Sequence, residues 1–74
     1  MPVQIVMDRS GDTRHAFDAS DVDAVESAER RFNELTRRGY RAVALGKNGK
    51  SGDLISTFTP TVEETLFIPQ LVGG

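Results

Sequence analysis

One apolar stripe, spaced for a single α-helix, is the feature that most constrains how this 74-residue chain can fold. Apolar residues recur every three or four positions, which puts them on one helix face; they are Val22, Val25, Ala28, Phe32 and Leu35. A lone helix of this kind must bury its stripe against another layer. The sequence therefore predicts a two-layer α+β domain in which the helix packs on one face of a sheet.

Both ends of this helix carry recognisable signals. Ser20 is predicted to cap the N-terminus, with Asp21 and Asp23 in the first turn, where carboxylates favour the positive end of the helix dipole. Arg38 and Gly39 suit the last turn and the left-handed position after it. Charged residues fill the rest of the surface, and two pairs, Glu26–Arg30 and Glu34–Arg38, have the favourable i, i+4 spacing.

The remaining chain reads as five short strands separated by turn residues. Residues 3–7 and 13–17 predict a β-hairpin, because Gly11 lies in the polar stretch between them and can adopt positive φ. Further strands are predicted at 40–45, 54–58 and 65–68, with a glycine-rich polar loop at 46–53. Pro69 lacks an N–H, so it should mark the point where the last strand leaves the sheet.

Composition excludes several classes of function. Without cysteine there is no disulfide framework, no thiolate metal site and no cysteine nucleophile. A formal net charge of −2 argues against a nucleic-acid binder and against attraction to an acidic membrane surface. No apolar run approaches the length of a membrane span, and the N-terminus lacks the pattern of a signal peptide. We expect a cytoplasmic monomer.

Five segments, in order along the chain, resemble ubiquitin. Residues 3–7 (Val-Gln-Ile-Val-Met) are similar to its opening Met-Gln-Ile-Phe-Val, and Ser20-Asp21 resembles its Ser-Asp at the start of the helix. Residues 41–47 resemble Arg-Leu-Ile-Phe-Ala-Gly-Lys, residues 64–68 resemble Ser-Thr-Leu-His-Leu, and residues 71–74 resemble Leu-Arg-Gly-Gly. The resemblance spans nearly the whole chain and implies a β-grasp fold with the order hairpin, helix, strand, strand, strand. It implies a domain over residues 1–69 followed by a flexible tail, residues 70–74.

The resemblance also implies a function. In such a protein modifier, a partner adenylating enzyme uses ATP to activate the C-terminal glycine for conjugation to amines of target proteins. The chain itself would need no cofactor or metal and would not be an enzyme. The conjugation tail would be Leu71, Val72, Gly73 and Gly74. Val72 stands where ubiquitin has arginine and Pro69 interrupts the tail, so a bacterial ubiquitin-like protein with its own partners fits better.

Other residues receive roles by the same resemblance. Val43, Ala44 and Ile68 map to the sheet face through which ubiquitin meets partners. Strand residues alternate between faces, so Val43 and Ala44 cannot share one; Val43 and Ile68 are the candidate partner face. Lys47 and Lys50 are the only lysines and would be the acceptors if chains of this protein form.

Two other functions remain open. A sulfur carrier would use the same tail as a thiocarboxylate, and a non-covalent adaptor would not use the tail at all. An enzyme is disfavoured because His15, the only histidine, has no cysteine or second histidine to act with. The acidic residues early in the helix are explained by solvation and the dipole, and the glycine loop lacks the Gly-Lys-Ser/Thr order of a phosphate-binding loop.

Overall fold

A computed structural model describes residues 1–46 and 52–70 of the chain. In these residues one helix accompanies a five-stranded mixed sheet, so the expected α+β class is confirmed. The elements are β1 (Val3–Asp8), β2 (Gly11–Ala16), α1 (Val22–Arg37), β3 (Tyr40–Leu45), β4 (Asp53–Ile55) and β5 (Glu64–Pro69).

The strands lie in the order β2-β1-β5-β3-β4. β1 and β2 form an antiparallel hairpin, and β3 pairs antiparallel with both β4 and β5. β1 and β5 are parallel, from Val3 opposite Glu64 to Val6 opposite Phe67. Parallel neighbours cannot be joined by a tight turn. The long connection between them carries α1, which covers one side of the sheet.

Side chains alternate between the two sides of this sheet. The side under α1, called the helix side, holds Phe67 and Ala42, which pack with Phe32 and Leu35 of the helix in the buried core. Alternation and pairing put a second set on the opposite, open side, which α1 does not cover. Its larger apolar members are Val3, Ile5, Met7, Val43, Leu45, Leu54, Leu66 and Ile68.

The helix stripe is confirmed at three positions and wrong at its start. Ala28, Phe32 and Leu35 are buried and Val25 is half-buried, whereas Val22 is 74% exposed. Val22 is the first helical residue, at the end of the helix, where the chain has not yet come over the core. The stripe that holds the two layers together is therefore shorter than the pattern predicts.

The helix is capped by Asp21 rather than by the predicted Ser20. The Asp21 side chain accepts hydrogen bonds from the backbone N–H groups of Asp23 and Ala24. Ser20 instead donates through its hydroxyl and its N–H to the Asp18 carboxylate, forming a separate turn before the helix. Of the two adjacent candidates, the N-cap is thus the one with a negative charge, which interacts favourably with the positive end of the helix dipole.

The two predicted charge pairs on the helix do not form. Among residues 1–46 and 52–70, the one pair within ion-pair distance joins Arg14 and Asp12, 3.8 Å apart on the β1–β2 hairpin. Spacing makes an i, i+4 contact possible, but long exposed side chains lose conformational entropy when they are held together. The arginines of α1 therefore remain without carboxylate partners among the described residues.

Glycines adopt the backbone conformations expected of them at both predicted turns. Gly11 has a φ of 124° where β2 leaves the hairpin turn, and Gly39 has a φ of 99° directly after the Arg38 C-cap. Both angles lie in the region that a side chain makes unfavourable. The hairpin and the end of the helix are confirmed by these two positions.

The fourth strand is shorter than predicted. β4 ends at Ile55, which pairs with Ala42, and the chain then bends away from the sheet. The bend brings Phe58 into the aromatic core, 6.0 Å from Phe17 and 6.0 Å from Phe32 between ring centroids. Burial of this ring, rather than continued strand pairing, determines the conformation of residues 56–58.

Candidate functional site

The two residues predicted as a partner face lie together on the open side of the sheet. Val43 pairs with Leu66, and Ile68 pairs with Arg41, so the four side chains point away from α1. Val43 is half-buried by its neighbours, whereas Ile68 is 41% exposed. Ala44, which the resemblance also mapped to this face, lies opposite Thr65 on the helix side.

The open side carries exposed apolar residues that sequence reasoning missed. Leu54 pairs with Val43 and is 64% exposed. Met7 is also exposed, and it directly follows Val6, the last residue of β1 that pairs with β5. Large apolar side chains grouped on one exposed face are typical of surfaces that contact other molecules. Had the pairing of β4 with β3 been known, the alternation of side chains along β4 would have assigned Leu54 to the same face as Val43.

The last strand ends where the sequence predicts. Pro69 is the final residue of β5 and pairs with Tyr40 of β3. The parallel pairing with β1 has already ended at Phe67, so the missing N–H of Pro69 interrupts no ladder on that side. Gln70 follows and is exposed. The conjugation tail, Leu71 to Gly74, and the acceptor candidates Lys47 and Lys50 lie outside the described residues.

His15 lies on the helix side of the hairpin, opposite Gln4. Burial lowers the pKa of His15 below its ordinary value, and the positive charge of Arg31 lowers it further. A histidine with a depressed pKa is neutral at pH 7. Within residues 1–46 and 52–70, no group of three acidic, histidine or cysteine side chains is arranged to hold a metal ion.

Two carboxylates have altered acidity for local reasons. The Ser10 hydroxyl and backbone N–H donate to Asp8, and the corresponding groups of Ser20 donate to Asp18. These hydrogen bonds stabilise the charged forms and hold the pKa values of both carboxyls below their ordinary range. Both side chains are exposed in turns, so the shifts reflect turn structure rather than a catalytic pair.

Comparison of the chain with protein-family models, curated proteins and solved structures gave no match. The resemblance to ubiquitin is thus a hypothesis from the residues themselves. In the described part of the chain, no helix has the length and apolar character needed to cross a membrane.

Proposed function

We propose that this chain is a ubiquitin-like protein modifier of the β-grasp type, joined through the carboxylate of Gly74 to amines of other proteins. The arrangement of the sheet is the observation that supports this best. β1 and β5 run parallel side by side, with β2 at one edge and the β3–β4 hairpin at the other, and a single helix covers one side. A β-grasp domain combines two hairpins and one helix around its last strand in this way.

The position of β5 suits a tail that must reach another protein. β5 is the middle strand, so packing on both of its edges anchors the chain up to Phe67. Ile68 and Pro69 still pair with β3, and Gln70 then follows the strand and precedes the conjugation tail in the sequence. A partner that takes this segment into its active site would cover the same end of β5. Ile68 and its neighbour Arg41 are therefore expected to contact the activating enzyme.

The chemistry requires only a thin acyl donor from this chain. A carboxylate oxygen of Gly74 attacks the α-phosphorus of ATP, and pyrophosphate leaves to give an acyl-adenylate on the partner enzyme. An amine nitrogen then attacks the acyl carbon and AMP leaves as the amide forms. Glycine at positions 73 and 74 presents no side chain to a narrow site. All acid–base and metal chemistry is assigned to the partner.

The test compares two tail variants with the unaltered chain. Deleting Gly74, or the substitution Gly73→Val, should leave the melting temperature unchanged and abolish ATP-dependent adenylation and conjugate formation in lysate of the source cells. Glu26→Gln, an exposed change on the helix and outside the tail, is the control and should retain activity. Ile68→Ser should raise the KM for activation, while Val22→Ser, at a more exposed apolar site on the helix, should not.

Each alternative gives a different result in the same experiment. Conjugation that survives deletion of Gly74 would overturn the acyl-donor proposal and leave the non-covalent adaptor. A product in which sulfur has replaced a terminal oxygen, without amide conjugates, would identify the sulfur carrier. Loss of folding on deletion of Gly74 would mean that the tail is structural.

A further inference from the structure

A basic cleft of about 500 Å³ lies between α1 and the β1–β2 hairpin, on the helix side of the sheet. The helix packs against β3, and the edge strand β2, at the other end of the sheet, is not fully covered by α1. We call this space the hairpin cleft. Besides Glu34, its polar lining comprises Thr13, His15, Ser27, Arg30, Arg31 and Arg38.

The lining is strongly positive for a chain whose formal net charge is −2. Arg30, Arg31 and Arg38 follow one flank of α1, and Glu34 is the carboxylate among the lining residues. Three positive charges and one negative charge leave an excess of +2 when His15 is neutral. Glu34 forms no ion pair with Arg30 or Arg38 in the described part of the chain. The positive charge is therefore available to an incoming anion.

Two of the arginines are held in position by the protein. Gln4 is 1% exposed, and its Nε2 donates to the carbonyl of Ala28 at 2.9 Å. Its Oε1 accepts from Nη1 of Arg31, also at 2.9 Å. The Arg38 guanidinium carbon lies 6.0 Å from the ring centroid of Tyr40, within range of a cation–π contact.

Donors remain free after these contacts. A guanidinium has five N–H donors, and Arg31 uses one of them on Gln4. The Arg30 side chain makes no hydrogen bond or ion pair within residues 1–46 and 52–70. An arginine whose orientation is already fixed loses less entropy when it binds a ligand. The cleft thus combines fixed positive charge with unused donors.

We propose that the hairpin cleft binds the phosphate group of a small phosphate monoester. Arginine forks bind phosphate oxygens in pairs, and the hydroxyls of Thr13 and Ser27 supply further donors. A monoester carries a charge of about −1.5 to −2 at pH 7, which matches the excess of +2 better than a single carboxylate does. Val6 and Leu35 add an apolar wall for the rest of the ligand. The volume lies within the roughly 300–1,000 Å³ of small-molecule sites.

The proposal is tested by NMR titration of the whole chain with phenyl phosphate at pH 7 and constant ionic strength. We expect saturable shifts of the Thr13, His15, Ser27 and Arg31 amides. Arg30→Gln should weaken binding about tenfold or more, because it removes a charge-assisted fork. Arg41→Gln makes the same change of charge on the open side and should alter the affinity less than about twofold. Arg31→Gln should also weaken binding. If Arg31→Gln unfolds the chain, Arg30→Gln still tests the proposal.

Two further ligands identify the chemical class. Inorganic phosphate should shift the same amides but bind more weakly, because it lacks the group that would lie over Val6 and Leu35. Benzoate should bind more weakly than phenyl phosphate. Equal affinity for benzoate, shifts that rise linearly without saturation, or equal losses in Arg30→Gln and Arg41→Gln would each overturn the proposal. None of these outcomes depends on the tail, so this test is independent of the proposed modifier function.

Discussion

The two sides of the sheet are built from the same strands, yet they differ in how they are covered. On the helix side, Phe67 and Ala42 are buried beneath α1 together with Phe32. On the open side, Ile5 is buried between β2 and β5, while Leu54 and Ile68 are exposed. Cover by the helix, rather than the apolar character of the strands, separates a core side from a side free to meet other molecules.

The polarity of the two sides makes the same point. The helix side contains two buried polar residues, Gln4 and Thr65, in adjacent strands. Gln4 is tolerated there because both ends of its amide are hydrogen-bonded to α1, one to the Ala28 carbonyl and the other to the Arg31 side chain. A buried amide thus links the sheet to the helix and at the same time orients a residue of the hairpin cleft.

The largest effect on stability is expected from removing a buried side chain from the core on the helix side. Phe32 is 1% exposed and lies 5.6 Å from Phe67 between ring centroids. Phe32→Ala should cost about 3–5 kcal/mol, enough to unfold much of so small a domain. Chemical denaturation followed by circular dichroism measures the loss. The control Ile68→Ala, on the open side, should cost far less; similar losses would abolish the distinction between the sides.

A smaller effect is expected from the buried amide. Gln4→Met keeps the length of the side chain but removes both hydrogen bonds, which should cost about 1–3 kcal/mol because one partner is charged. Gln70→Met makes the same chemical change at an exposed position and should be neutral. If Gln4→Met leaves the free energy of unfolding unchanged, the amide contributes nothing to holding the helix on the sheet.

Two adjacent residues of β4 give a direct test of the side assignment. Ile55 packs against the core cluster, so Ile55→Ser should cost about 1–2 kcal/mol, in proportion to its partial burial. Leu54 faces the open side, and Leu54→Ser should change the free energy of unfolding by less than about 0.5 kcal/mol. Urea denaturation of the two variants compares them. A larger loss for Leu54→Ser would reverse the faces of β4.

The smallest effect on stability is expected from the protonation of His15, which lies on the helix side in the edge strand β2. Its pKa is lowered in the folded chain by burial and by Arg31, whereas the unfolded chain has the ordinary value of about 6.5. Between these two pKa values the unfolded chain binds the proton more readily than the folded chain. Stability should therefore fall as the pH is lowered from about 7.5 to 5.5. His15→Gln should remove this slope. The Asp8 and Asp18 carboxyls have lowered pKa values and titrate at lower pH, outside this window.

Most of the fold could be predicted from local signals. The hairpin turn at Gly11, the helix with its end at Gly39, and the strand limit at Pro69 each depend on residues close in sequence. The errors arose where local signals compete. Ser20 and Asp21 are both good caps, and only the path of the chain decides between them. Phe58 suits a strand by propensity, but its ring lies in the core.

The candidate site was predicted less completely. Val43 and Ile68 were chosen by resemblance and do share the open side, but their role as a partner face stays a prediction. Leu54 was missed because its neighbour across the sheet was unknown. The hairpin cleft could not be predicted, because Arg31 and Gln4 are 27 positions apart and meet only when the helix packs on the sheet.

The sequence by itself determined the position of the helix, most of the segments that form strands and the positions of the turns at Gly11 and Gly39, because these follow from periodicity and from the backbone preferences of glycine and proline. Only the tertiary structure decided the strand order, the side on which each set of alternating residues lies, and the grouping of arginines beside the hairpin. The physical reason is that alternation divides Gln4 from Ile5 without saying which of them faces the helix. That choice depends on contacts between segments distant in sequence, which no local pattern contains.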